Sequence, residues 1–488
     1  MKRCKILAAV LIISLSVLSM RIFYLSYFSA ENAAASASRG TESFGTHRGL
    51  ILDRNLKSLV EYESETVSST ENPSYVLKIP KRYADNQLCA HIIGYTNYHN
   101  EGVCGIEKDY NAYLKAIPNQ ITLHTFRDAQ GNLLAGKGTV TDTSQQCKNS
   151  GIRLTIDKSI QQAVERAGKS IRQGCAIVMQ SDTGEILASA SFPTFNPNRL
   201  QQYVNDTQTN PLINRACIPY NVGSVFKVIV CLAALDSGVN INTSFVCRGS
   251  IRCGGTVFGC HKAQGHGTIN MTQALSYSCN TYFIQLANQI GYQKILSVCE
   301  RLGIKETISL SDSILAQGGT LPDKKDVSSP AGLANFSFGQ GTLLSTPLWL
   351  CKVYAAIGNG GYAVTPQLVA SKVNAGESVP VGNSVKTRVF SASQAHTLYR
   401  MLQYAVKNGT GTAAASEKCI VAGKTATAQT GIYKHGKEKL ISYFIGLFSI
   451  KSDIYTVLVM CENGSSGSKD CAPVFKEICE SICKMQGE

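Results

Sequence analysis

Apolar positions gather first in one block. Ile6 to Met20 carries no charge, and after Arg21 the run Ile22-Phe23-Tyr24-Leu25-Ser26-Tyr27-Phe28 extends it. From Ile6 to Phe28 the stretch is long enough to span a bilayer as a helix, with Arg21 snorkelling and the tyrosines at the far interface. Lys2, Arg3 and Lys5 precede it, which sets the N-terminus inside and the remainder outside. A cleaved signal peptide competes, because Ala33-Ala34-Ala35 supplies small residues nearby. The apolar and aromatic residues beyond Arg21 favour an uncleaved anchor over residues 1–28. Glu31 to Phe44, rich in Ala, Ser and Gly, reads as a linker.

After the linker the pattern changes to short alternations and amphipathic runs. Leu50-Ile51-Leu52 reads as a strand entering the turn Asp53-Arg54-Asn55, and a helical stretch lies around Tyr110 to Leu114. Residues 29–150 therefore read as a linker plus a small stalk domain, closed by the polar stretch Ser144 to Gly151. From there Arg153 to Asp157 predicts a strand, with Asp157 capping a helix that carries Ile160, Ala163 and Val164. Cys175 to Met179 and Glu185 to Ala188 flank Ser181-Asp182-Thr183-Gly184 and predict a hairpin. Residues 268–303 and 344–358 are helical in period, 442–448 and 455–460 are strand-like, and Pro473 to Met485 closes the chain as a helix. Strands at both ends of a long helical middle make 151–488 an α+β domain, one sheet being assembled from distant segments.

Composition narrows the class. At 44% hydrophobic and 16% charged, the chain is globular rather than disordered. The net charge of +14 is spread over scattered Lys and Arg, so no nucleic-acid module is legible, and a basic surface near anionic membrane or wall polymers is the better reading. Eighteen cysteines show no paired C-x-x-C spacing, so no metal, zinc included, is expected. Most fall singly in apolar runs and read as small buried hydrophobes.

Chemistry concentrates at three places. In Tyr220-Asn221-Val222-Gly223-Ser224-Val225-Phe226-Lys227 a hydroxyl and an amine stand three residues apart before an apolar helix. Positions i and i+3 share a helix face, so Lys227 reaches the Ser224 oxygen and, desolvated, can supply its base, although spacing does not decide which lysine acts as the base. Ser466 and Lys469 repeat the spacing inside a Gly/Ser-rich turn, so spacing alone does not decide. In Ser278-Cys279-Asn280 two polar residues break an apolar helix, where Ser278 can relay a proton and Asn280 hold a carbonyl. The competing reading of that stretch is a helix cap. In Gly423-Lys424-Thr425-Ala426-Thr427 strand alternation sends Lys424 and Thr425 to opposite faces. An edge strand there could pair with an extended peptide. Lys386-Thr387 is a second lysine–threonine pair without that setting.

Together, in this order and spacing, the three stretches resemble the S-x-x-K, S-D-N and K-T-G motif set of penicillin-binding proteins and class A β-lactamases. The chain resembles the class B penicillin-binding proteins, the monofunctional D,D-transpeptidases of bacterial peptidoglycan synthesis. Arg48-Gly49…Asp53-Arg54-Asn55, His91…Gly94-Tyr95 and Gly105-Ile106-Glu107 are similar to the family's pedestal motifs. Thr183-Gly184-Glu185-Ile186-Leu187-Ala188, Gly339-Gln340-Gly341, Thr346-Pro347 and Gly265-His266-Gly267 are similar to its catalytic-domain signatures. The resemblance implies a penicillin-binding/serine β-lactamase-like domain, an antiparallel sheet flanked by helices, on a pedestal with one transmembrane helix.

It further implies that Ser224 forms an acyl-enzyme with stem peptides and with β-lactams. Lys227, Ser278, Asn280 and Lys424 would be catalytic, with Thr425, Ala426 and Thr427 along the substrate. Backbone N–H groups of Ser224 and Thr427 would form the oxyanion hole. No cofactor is implied. A SEDS-family membrane glycosyltransferase is the implied partner and the cell membrane the implied location. Ala426 stands where the family has Gly, and its methyl, on the face of Lys424, is expected to press toward the helix bearing Ser224. A β-lactam receptor or β-lactamase-like protein, and a catalytically weak scaffold on the same fold, are the alternatives. Cys279 inside the second motif and Cys260 in the loop before it are expected to form a redox pair that hinders the cleft.

Overall fold

The computed structural model describes residues 2–36, 38–44, 48–60, 62–68, 76–118, 121–127, 139–142, 149–382, 384–434 and 436–487. Contacts divide the chain into two compact units. One comprises 1–49, 62–82 and 115–148, and the other 50–61, 83–114 and 149–488. Segments 50–61 and 83–114, read from sequence as stalk, thus pack with the larger unit. The polar boundary expected at Ser144–Gly151 lies, up to residue 148, outside the described residues.

In the smaller unit a helix runs Lys2–Ser36 and contains Lys5–Tyr24, a stretch of mean hydropathy 2.4 that is long and apolar enough to cross a membrane. The expected linker is structured. Its first part continues the helix to Ser36, and Ser38–Phe44 is a strand paired antiparallel with Ile121–Arg127. Backbone pairing with a distant partner orders a sequence whose side chains carry no strand pattern of their own.

The larger unit is built on a five-stranded antiparallel sheet. Its strands are β1 (Gly174–Gln180), β2 (Ile186–Phe192), β3 (Val421–Lys434), β4 (Lys437–Ile450) and β5 (Asp453–Glu462), in the order β2-β1-β5-β4-β3. The hairpin expected at Thr183-Gly184 joins β1 to β2, Gly184 taking φ +77°. The helices of this unit include α1 (Lys158–Ala167), α2 (Lys227–Asp236), α3 (Met271–Ser276), α4 (Asn280–Ile290), α5 (Pro347–Gly358), α6 (Ala392–Asn408) and α7 (Ala472–Gly487). Asp157 caps α1 as its sequence predicts, Oδ1 accepting from the N–H of Ser159 at 2.9 Å. Thr346-Pro347 opens α5, with Thr346 Oγ1 accepting from Trp349 N–H at 3.2 Å.

Ile160 and Val164 of α1 and Phe475 and Ile478 of α7 share one core with Phe444 and Phe448 of β4. Asp53 ties the segment before the sheet into this unit, accepting backbone N–H groups of Asn55, Lys57 and Lys158 at 2.8–3.1 Å. Arg54 meets Glu185 at 3.0 Å. Asp53 and Arg54 of the first expected pedestal motif therefore act here as structural ties.

Candidate functional site

Ser224 occupies a single tight turn, Gly223–Phe226, that runs directly into α2. Gly223 enters it at φ +65°, and a Cβ there would come 3.0 Å from the Cβ of Ala428 on β3. The Gly223 N–H donates to the Gly339 carbonyl at 2.8 Å. Gly339 must itself be glycine, since its φ is +79° and a Cβ would lie 2.1 Å from the Gly223 oxygen. Two buried tyrosines fix further carbonyls: Tyr443 O–H donates to Asn221 at 2.9 Å and Tyr354 O–H to Val225 at 3.1 Å. The sharp turn is over-determined by its surroundings and holds Ser224 half-buried at the head of α2.

Lys227, one turn on, is wholly buried. Its Nζ donates to the Ser278 carbonyl at 2.7 Å, to Asn280 Oδ1 at 2.8 Å and to Ser278 Oγ at 3.2 Å. Burial pushes its pKa down to about 7. Ser278 sits between α3 and α4 with φ +54°, a left-handed backbone that a residue with a Cβ adopts at a cost of roughly 1–3 kcal/mol. That break is what brings its carbonyl to the lysine.

Lys424 on the edge strand β3 is also fully buried, its Nζ 2.9 Å from the Thr425 carbonyl and 3.5 Å from Thr410 Oγ1. Burial, then the like charge of Lys227, hold its pKa well below the ordinary range. The Thr425 hydroxyl lies 2.7 Å from that of Thr410. Ala426, 3% exposed, pairs directly with Tyr443, so its methyl and the tyrosine ring share the sheet face that turns toward Asn221. Thr427 is half-buried, and its Oγ1 accepts from Gly467 N–H at 3.4 Å.

The structure thus joins Lys227, Ser278 and Asn280 by hydrogen bonds, sets the Ser224 turn against β3, and leaves the lysines of both look-alike pairs, Lys469 and Lys386, exposed to solvent. Sequence reasoning missed Thr410, which the flanking Gly409 and Gly411 could have flagged. Gln340 was read only as part of a signature. In the orientation that satisfies both its amide atoms, its side chain pairs with the Gln429 backbone on β3 at 3.2 and 3.3 Å. Cys260 and Cys279 come within 3.9 Å, and Cys247 and His266 join them.

Known proteins resemble this chain over most of its length. The family model of the penicillin binding protein transpeptidase domain matches residues 174–480. Peptidoglycan D,D-transpeptidase FtsI of Buchnera aphidicola subsp. Schizaphis graminum is 28% identical over 430 residues, covering 84% of this chain and 70% of the relative. FtsI of Escherichia coli K12 is 27% identical over 418 residues, covering 82% and 66%. Among solved structures, the D,D-transpeptidase domain of a peptidoglycan glycosyltransferase from Eggerthella lenta superposes with a TM-score of 0.71 at 27% identity, covering 90% of this chain and 99% of that one.

Proposed function

The chain belongs to the penicillin-binding protein transpeptidase family, and from that premise we propose that it cross-links peptidoglycan stem peptides through an acyl-enzyme on Ser224. The observation that carries the assignment of roles is the Lys227 amine. A neutral amine has two N–H bonds and one lone pair. The Ser278 carbonyl and Asn280 Oδ1 take both hydrogens, which leaves the lone pair to accept from a hydroxyl: Ser224 in the attack, and Ser278, whose Oγ lies 3.2 Å away, in the relay. With a pKa near 7, a large fraction of the amine is neutral at physiological pH, as a general base requires.

Ser224 Oγ attacks the penultimate D-alanine carbonyl while its proton passes to Lys227. The tetrahedral oxyanion is held by the N–H groups of Ser224 and Thr427, donors worth roughly 3–4 kcal/mol each in comparable sites. The C–N bond breaks, and the terminal D-alanine leaves with a proton relayed through Ser278 and Lys424. An amine of a neighbouring stem then attacks the ester, losing its proton to the same base and restoring Ser224. The edge of β3 receives the donor peptide as an added strand, with Thr425 and Thr427 toward its carboxylate. β-Lactams acylate the same oxygen.

Three finer assignments belong to the same reading. The N-terminal helix anchors the chain with its basic start in the cytoplasm and the catalytic unit outside, supported by Lys2, Arg3 and Lys5 before the apolar run. Of residues 29–150, read as linker and pedestal, 29–49, 62–82 and 115–148 supply the pedestal, while 50–61 and 83–114 belong to the larger unit. The partner is a SEDS-family membrane glycosyltransferase, testable by co-purification of the two from membranes. The central test is labelling with a fluorescent penicillin: the wild-type chain takes a stable label, Ser224→Ala takes none, and intact mass places one acyl adduct per chain. Equal labelling of both proteins would refute the assignment.

A further inference from the structure

Ahead of the second motif the chain makes an excursion with little core of its own. Ser244–Cys247 pairs with Gly267–Asn270, and Ser250–Cys253 pairs with Thr256–Gly259. Two-stranded ribbons of this length are marginal in water. Val246 and Val257 are exposed. Each ribbon delivers side chains to one point. Cys247 ends the first strand, Cys260 follows Gly259, His266 precedes Gly267, and Cys279 stands before α4. Tight glycine turns fix these ends: Gly249 has φ +90° with a Cβ position 1.8 Å from the Ala263 oxygen, and Gly265 has φ +82° with one 2.2 Å from the Cys247 oxygen.

We infer that Cys247, Cys260, His266 and Cys279 form a structural zinc site that holds this excursion against the Ser278–Asn280 turn. Their ligand atoms all lie within 4.8 Å of one another. Zn–S bonds of about 2.3 Å and a Zn–N bond of about 2.0 Å in a tetrahedron place sulfurs about 3.8 Å apart and sulfur and nitrogen about 3.5 Å apart. The observed edges are 3.9 Å for Cys260 Sγ–Cys279 Sγ, 3.5 Å for Cys247 Sγ–His266 Nδ1 and 3.6 Å for Cys260 Sγ–His266 Nδ1. Three sulfurs and one imidazole nitrogen with no open position suit zinc in a structural rather than a catalytic role. The surroundings continue the pattern. The Thr281 hydroxyl lies 3.4 Å from Cys279 Sγ, and the His266 ring stacks on Tyr277 at 5.6 Å and 8°. Binding would displace the thiol protons to solvent and add the metal's affinity to the stability of the excursion.

The site reaches the proposed catalytic groups through one contact. Asn280 Nδ2 donates to the carbonyl of Gly259, the neighbour of Cys260, at 3.2 Å. Its Oδ1 accepts from Lys227. Fixing Cys260 therefore orients the Asn280 amide and, through it, the Lys227 amine. This positioning role rests on the acyl-transfer reading, whereas metal occupancy does not.

The test is elemental analysis of the full chain purified in detergent without chelator. One zinc per chain is expected in wild type and in Ser224→Ala, and none in Cys247→Ser or His266→Ala. Cobalt loaded into the wild-type chain should show the intense visible bands of a tetrahedral thiolate site, a readout that does not depend on the variants folding. Stripping zinc should slow penicillin labelling on the order of tenfold or more, reversibly on adding zinc back. A wild-type chain that carries no zinc, holds another metal instead, or yields a Cys260–Cys279 disulfide after thiol trapping overturns the proposal. Zinc retained in both variants does the same.

Discussion

Lys227 Nζ donates to Asn280 Oδ1 at 2.8 Å across 53 residues of chain. A short contact between a buried amine and an uncharged acceptor keeps the amine in place without restoring its charge. Removing that acceptor should therefore disable the base and leave the fold. Asn280→Ala is expected to lower the rate of Ser224 acylation by roughly 10²-fold, measured by penicillin labelling kinetics, with thermal denaturation confirming a folded protein. A near-wild-type rate would show that the amide does not orient the lysine.

The pH profile follows from the same burial. Lys227 titrates near 7 because its charged form is desolvated, and the neutral form is the one that takes the proton from Ser224. The second-order acylation rate should rise as pH increases through about 7 and then level off. Acidifying below that point should cost tenfold per unit. A profile that is flat between pH 6 and 8, or that falls with rising pH, would assign the base elsewhere.

Gly339 is fixed by geometry rather than chemistry. With φ +79° and a Cβ position 2.1 Å from the Gly223 oxygen, Gly339→Ala must displace the Ser224 turn. We expect a loss of about 2 kcal/mol or more in stability together with loss of acylation. Urea unfolding and labelling should fall in parallel, and an unchanged midpoint would contradict the packing described.

Ala426 offers the reverse case. Its methyl faces Tyr443 beside the Ser224 turn, and Ala426→Gly removes it. A few-fold faster acylation is expected, with a loss of roughly 0.5–1 kcal/mol from the added backbone freedom of glycine in a strand. Stopped-flow acylation and thermal melts separate the two effects.

The Arg54–Glu185 pair, close at 3.0 Å but with side chains 34% and 26% exposed, should matter little to stability. Arg54→Ala is expected to cost less than about 1 kcal/mol by denaturant titration.

What the amino-acid order alone determined is what a few neighbouring residues can encode. Asp157 opened its helix as read, the Thr183-Gly184 turn joined its strands, and the Ser224–Lys227 spacing set two groups on one helical turn. The motif order also carried the family resemblance, since the three motifs keep their sequence wherever they meet in space. Only the tertiary structure separated Lys227, buried against Ser278 and Asn280, from Lys469, spaced identically but exposed. Only it paired Ser38–Phe44 with Ile121–Arg127, brought Thr410 to Thr425, and gathered Cys247, Cys260, His266 and Cys279 where cysteine spacing had argued against a metal. These contacts join positions that share no turn or strand, so their free energy is realised only when distant segments close on one another, and no local pattern records it.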